Sequence, residues 1–285
     1  MNRSRGGRTA PALTWVAALP GIVIGLLFGA APLAVLVVNA LGVGATGTSE
    51  QRGLTLGHLT QVFTSPLLLG QLGNSLIVGL SAVVITTLVG VPLAVSLRRR
   101  SEAGHPTAVA DGLLTLPIAL PGIIVGFFTI VLIGRTGLLA KVAPPLSGAA
   151  YGMFGLISAY VYFSIPRVIG PLRGAVQALD LEPENVARTL GAGRSRAFFS
   201  ATVPQLLPAI VETAGTAAAV AVGGYGTAAT LAQGVRLLPV SAVNELTLNY
   251  SVASASGIVI VLALVVVVII LLTSLAAGAF RRWTA

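Results

Sequence analysis

Long apolar stretches constrain this chain more than anything else in it. They fall at about 13–39, 73–97, 112–134, 150–170, 205–232 and 253–279. Each approaches or exceeds the ~20 mostly apolar residues that a helix needs to cross a hydrocarbon core of about 30 Å. The chain therefore reads as an all-α integral membrane protein with six transmembrane helices, and residues 1–285 form a single transmembrane domain. Only 9% of the residues are charged, against roughly 25% in a soluble globular protein. A mean hydropathy of +0.94 likewise makes lipid, not water, the main solvent.

The net charge of +9 does not point to nucleic acid, because the basic residues cluster at the ends of apolar runs, where they orient a membrane protein. Arg3, Arg5 and Arg8 precede an apolar run from Pro11 to Val38. That run exceeds the 7 to 15 residues of a signal-peptide core, so a retained first helix is expected. The chain has no cysteine, which removes disulfides, thiolate nucleophiles and sulfur-ligated zinc. Leu41 to Leu72, with its Gly, Thr, Ser and Pro66, reads as an external loop with room for one short helix.

Orientation follows from the connections. One side carries 13 of the basic residues, among them Arg98 to Arg100, Arg167, Arg173, Arg188, Arg194, Arg196, Arg281 and Arg282. The other carries 4: Arg52, Arg135, Lys141 and Arg236. The rich side is expected to be cytoplasmic, with both termini inside. Glycine and proline interrupt the spans at Pro117, Pro121 and Gly122 and at Gly223, Gly224, Tyr225 and Gly226. Small residues let helices approach, and prolines bend them where neighbours serve the freed carbonyls. The second glycine cluster is denser than packing requires.

The connection from Arg167 to Pro204, with a coupling loop at about 171–204, is the longest internal one. Asp180 can cap a helix whose first turn holds Glu182, Pro183 and Glu184. Val186, Ala187 and Leu190 share one face of it. Gly191 and Gly193 end it, and a second helix from about Arg194 presents Phe198 and Phe199 before Pro204 opens the fifth span. An apolar face rimmed by charge suits docking into a partner's groove, and equally suits resting on lipid headgroups.

The run Asn185-Val186-Ala187-Arg188-Thr189-Leu190-Gly191-Ala192, with Pro204 thirteen residues beyond Gly191, resembles the cytoplasmic signature of binding-protein-dependent ABC importer permeases. That pattern is Glu-Ala-Ala, three residues, Gly, nine residues, Ile, one residue, Leu-Pro. Ala187, Gly191 and Pro204 match, Val186 and Val203 are close substitutes, and Asn185 and Ala201 depart from Glu and Ile. Glu184 stands one position early. The resemblance extends to Asn74-Ser75-Leu76, to Leu116 through Gly122 and to Gly224-Tyr225-Gly226.

It implies a type I importer (MetI-like) permease fold in a cell (plasma or inner) membrane, and a loop that seats in a separate cytoplasmic ABC ATPase dimer. Glu184, Asn185, Val186, Ala187, Leu190, Gly191, Ala192, Phe198 and Pro204 would form that coupling element. A second permease subunit and an extracytoplasmic solute-binding protein are the other implied partners. The translocation pathway is expected at Asn74, Ser75, Pro121, Gly223, Gly224, Tyr225 and Gly226. The Gly134 to Leu138 loop is similar to permeases for polyamines, phosphonates, ferric iron and oxyanions.

No cofactor is expected in this chain. Its only lysine, Lys141, lies between Ala140 and Val142, so the Gly-Lys-Ser/Thr of a phosphate-binding loop is missing, and ATP and magnesium would bind a partner. Two rivals have less material. A secondary transporter couples through charged groups inside its spans, and only Glu212 falls plainly within a run, where snorkelling, pairing with a cytoplasmic arginine such as Arg167 or Arg173, or a polar lining of the inner pathway would each explain it. An intramembrane enzyme would have only His58 and His105, both in loops, and no paired carboxylates within a span.

The absence of native cysteine makes the topology directly testable. A cysteine introduced beside Arg188 should react with a membrane-impermeant maleimide in inside-out vesicles and stay unlabelled in intact cells. Labelling from outside would reverse the orientation.

Overall fold

The computed structural model describes residues 19–43 and 53–284. Arg3, Arg5, Arg8 and Arg52 and the first part of the first apolar run lie outside the described residues. Among those described, six helical stretches are long and apolar enough to cross a membrane.

The first, α1 (Leu19–Ala40), contains a π turn over Leu26–Ala30 that leads into Pro32. Proline has no N–H and its ring crowds the carbonyl four residues back, here Phe28, and the wider turn makes room for it. A short α2 (Gly57–Thr64) lies between the first and second spans. It ends at extended Ser65, whose Oγ accepts a bond from Leu68 N at 3.5 Å, with Pro66 opening α3 (Pro66–Glu102). The second span therefore starts at Pro66, earlier than the apolar run suggests. At 37 residues it is about 55 Å long, well beyond the hydrocarbon thickness. It reaches through Arg98, Arg99 and Arg100 on one side.

The third apolar run is two helices, α4 (Ala108–Ala119) and α5 (Gly122–Ile133). Leu120 is extended, φ −92° and ψ 124°, as a residue before proline prefers. A one-turn α6 (Leu138–Val142) and two short 3₁₀ turns follow. Helix α7 (Met153–Gln177) continues without interruption past Pro166 and Pro171. Carbonyls around the first proline gain other partners: Thr86 Oγ1 donates to Val161 O at 3.2 Å and Arg167 Nη1 to Phe163 O at 2.6 Å. The fourth span thus extends past residue 170, and Arg167 and Arg173 belong to it. The link to the next span shrinks from the expected 171–204 to residues 178–193, which hold α8 (Glu182–Thr189).

Helix α9 (Arg194–Val222) contains a second π turn, Phe198–Thr202, leading into Pro204. It breaks at Gly223 to Tyr225 before α10 (Gly226–Leu231). Then come α11 (Leu238–Thr247) and α12 (Val252–Thr284). Helices α3, α7 and α9 form the centre, with α5 and α10 packed together beside them, α12 on the far side of α9, and α1 against α12. The core holds Val78, Ala82, Leu156, Tyr160, Leu172, Leu206, Ala217 and Ala221.

Lipid tails are as apolar as leucine, so these helices gain from close contact between small residues rather than from leaving water. A Cβ on Gly215 of α9 would overlap Thr273 Oγ1 of α12, and one on Gly79 of α3 would stand 2.7 Å from Val222 Cγ2. At Gly70 nothing lies within 4 Å. Gly215→Val should therefore cost about 1–3 kcal/mol through overpacking, read as a lower thermal midpoint in detergent. Gly70→Ala should leave that midpoint unchanged.

Candidate coupling segment and translocation route

Helix α8 is set at both ends by local chemistry. Asp180 Oδ1 accepts from Glu182 N at 2.9 Å, and Glu182 and Glu184 occupy the first turn, where the helix dipole favours acids. At the other end Gly191 adopts φ +88°. Its N–H bonds to Arg188 O and that of Ala192 to Ala187 O, both at 3.0 Å, which is the paired termination that a left-handed glycine permits. A Cβ at Gly191 would meet nothing within 4 Å, so the backbone conformation, not space, selects glycine there.

One residue of α8 turns inward. Glu184 is 4% exposed and its two oxygens lie 2.5 and 2.7 Å from Arg99 Nη2 at the end of α3. Thr202 of α9 donates its hydroxyl to the same carboxylate. The acid one position before the expected signature Glu thus ties α8 to two spans. Asn185 is exposed, as are Val186 at 50% and Leu190 at 81%. Ala187, Ala192 and Pro204 are half-buried. Phe198 is half-buried against the core, with the exposed Phe199 ring edge-on to it at 5.3 Å. Sequence reasoning missed Arg99 and Thr202. An ion pair that joins residues 85 positions apart leaves no local signal.

The two helix breaks meet. Thr227 Oγ1 donates to Gly122 O at 3.1 Å, and Tyr160 of α7 donates to Gly224 O at 2.5 Å. A Cβ on Gly226 would stand 3.4 Å from Gly122 Cα, and one on Gly122 only 3.0 Å from Thr227 N. The glycines serve close approach, since Gly223 has an ordinary φ of −83°. Pro121, Gly223 and Tyr225 remain exposed.

Asn74 and Ser75 serve another junction. Asn74 Nδ2 bonds to Arg236 O at 3.2 Å, and Ser75, 2% exposed, accepts from Leu238 N at 2.9 Å while donating to Gln71 O. Glu212 pairs with Arg281 at the end of α12, not with Arg167 or Arg173. Arg173 instead meets Asp111 at 2.5 Å, and Arg167 lies over the Phe163 ring. Among the described residues no group of three or more His, Asp or Glu is placed to hold a metal ion.

A family model described as "Binding-protein-dependent transport system inner membrane component" matches residues 87–285. The chain belongs to this family. It is thus a multi-pass inner-membrane transport component. The chain is similar to the molybdenum transport system permease protein ModB of Escherichia coli K12, with 34% identity over 130 residues, 45% of this chain and 57% of that protein. It thus spans little more than half the length of that relative. It is 31% identical over 189 residues to the molybdate/tungstate transport system permease protein WtpB of Pyrococcus abyssi, 66% of this chain and 69% of that one. Among solved structures, a chain of a bacterial ABC transporter involved in the import of the acidic polysaccharide alginate superposes with a TM-score of 0.75. It covers 96% of both chains at 17% identity, which establishes a shared fold.

The tie of α8 to the spans can be cut without altering its shape. Glu184→Gln leaves the Arg99 charge without its carboxylate, a loss near the lower end of the 3–5 kcal/mol seen for buried pairs, because Arg99 is partly exposed. Amide exchange over residues 182–190 should then accelerate by about 10²-fold, while α9 keeps its protection.

Proposed function

We propose that this permease subunit forms the translocation route of an ATP-driven oxyanion importer and receives its driving force from a separate cytoplasmic ATPase dimer through α8. The observation that carries the reading is the two-sidedness of that helix. Its inner face is tied by Glu184 to Arg99 and Thr202, while Val186 and Leu190 stand exposed on the other. A helix already held in its bound shape loses little freedom on docking, and each apolar side chain buried in a partner's cleft contributes about 1–3 kcal/mol. Asn185 removes a charge from this contact, and Ala187, Ala192, Phe198 and Pro204 support it from behind.

In this reading the route passes the paired breaks, with Pro121, Gly223, Gly224, Tyr225 and Gly226 along it, and Asn74 and Ser75 brace its outer part. Both termini are cytoplasmic, a second permease subunit completes the pathway, ATP and magnesium bind the ATPase, and an extracytoplasmic binding protein delivers the solute. The names of the relatives favour molybdate or tungstate as that solute.

The test is co-purification with the ATPase, together with uptake of radiolabelled molybdate. Gly191→Val cannot easily hold φ +88° and should abolish both ATPase stimulation and uptake. Gly191→Asn, which tolerates the left-handed region, should retain most of both. Equal recovery of the ATPase from wild type and the valine variant would return α8 to the lipid surface, and proton- or sodium-driven uptake without ATPase would make the chain a secondary transporter.

A further inference from the structure

Between α3 and the start of α9 lies a groove of about 520 Å³ to which neither Val186 and Leu190 of α8 nor the paired helix breaks contribute. Its apolar part is formed by Pro92 and Val95 of α3 with Phe198 and Phe199 of α9. Its rim carries Arg100 and Arg194, both exposed, with Arg99 and the hydroxyl-bearing Ser195 beside them. No Asp or Glu lines it. The nearby acid, Glu184, is already held by Arg99, and Glu102 by Arg98.

We infer that this groove binds one anionic phospholipid, its phosphate between Arg100 and Arg194 and an acyl chain along Pro92, Val95, Phe198 and Phe199. Charge complementarity selects an anion, because Arg100 and Arg194 both line the groove and no Asp or Glu does, and basic groups attract an anionic headgroup. The apolar floor selects an amphiphile over free phosphate, since an inorganic ion would leave the exposed Pro92 and Phe199 and the half-buried Phe198 uncovered. Position selects the lipid phase. The arginines directly follow Leu97 at the end of one apolar run, and the phenylalanines precede Pro204 at the start of another, so the groove sits where hydrocarbon gives way to headgroups. The orientation proposed above decides only that the lipid comes from the cytoplasmic leaflet. Arg99, which anchors α8, forms part of the same wall, so the occupied groove would stiffen the support of the coupling segment.

The experiment uses the full chain, purified without the ATPase, so that its outcome is independent of the transport reading. Native mass spectrometry would follow binding of dioleoyl phosphatidylglycerol, with dioleoyl phosphatidylcholine and inorganic phosphate as comparisons. Wild type should hold one phosphatidylglycerol at least tenfold more tightly than either comparison. The Arg100→Ala/Arg194→Ala variant should lose that preference, Arg282→Ala should keep it, and Phe199→Ser should weaken phosphatidylglycerol without creating affinity for phosphate. If the double alanine variant does not fold, Arg100→Gln alone, checked for a monodisperse elution profile, should lower the affinity severalfold. Equal binding of the two lipids, undiminished binding in the arginine variants, or phosphate binding as tight as lipid binding would each overturn the assignment.

Discussion

A carbonyl that loses its helical partner inside hydrocarbon must find another within the protein, and this chain opens two of its spanning runs against each other. Side-chain donors tie the breaks together: Gly122 O at the start of α5 receives Thr227 Oγ1 of α10, and the freed Gly224 O receives the Tyr160 hydroxyl of α7. The arrangement demands side chains small enough for backbones to touch, which Gly122 and Gly226 supply. It also demands a buried donor at a fixed height, which explains a tyrosine in a core otherwise made of aliphatic side chains. The rest of the bundle holds these pieces in register.

Much of this was legible before any coordinates. Six apolar runs mark six spans because hydropathy integrates over a whole membrane thickness and tolerates local exceptions. The segment proposed for coupling was legible as a helix ending at Gly191, because Asp180, two acids in the first turn and a glycine at the end are local signals. The boundaries were not. Gly70, Gln71, Gly73 and Asn74 dilute the hydropathy of the first turns of α3, although Ser65-Pro66 carries the capping signal. Pro166 and Pro171 suggest an end to the fourth span, yet the helix continues, with Thr86 of α3 donating to Val161 O and Arg167 to Phe163 O one turn back.

The site was legible in kind more than in wiring. Glycine and proline clusters announced the breaks, and their pairing needed three dimensions. Glu184 looked like a displaced signature acid until Arg99 and Thr202 appeared beside it. The same holds for Glu212, whose partner Arg281 lies 69 positions away. At both places charge balance predicts that a cation is near and cannot say which one.

Helix α3 belongs to both ends of the molecule at once. Near its N-terminal end Ser75 receives Leu238 N, and at its C-terminal end Arg99 grips Glu184. Twenty-four residues of one helix separate the two grips, about 36 Å. Such a shaft works as a beam: tilting it by about 10° around its middle would carry its ends about 3 Å in opposite directions. In the proposed coupling role, a push received at α8 and a shift at the far end of α3 would be a single displacement seen from two sides, with Pro92, which breaks one rung of the helical ladder, as the place where the beam can yield.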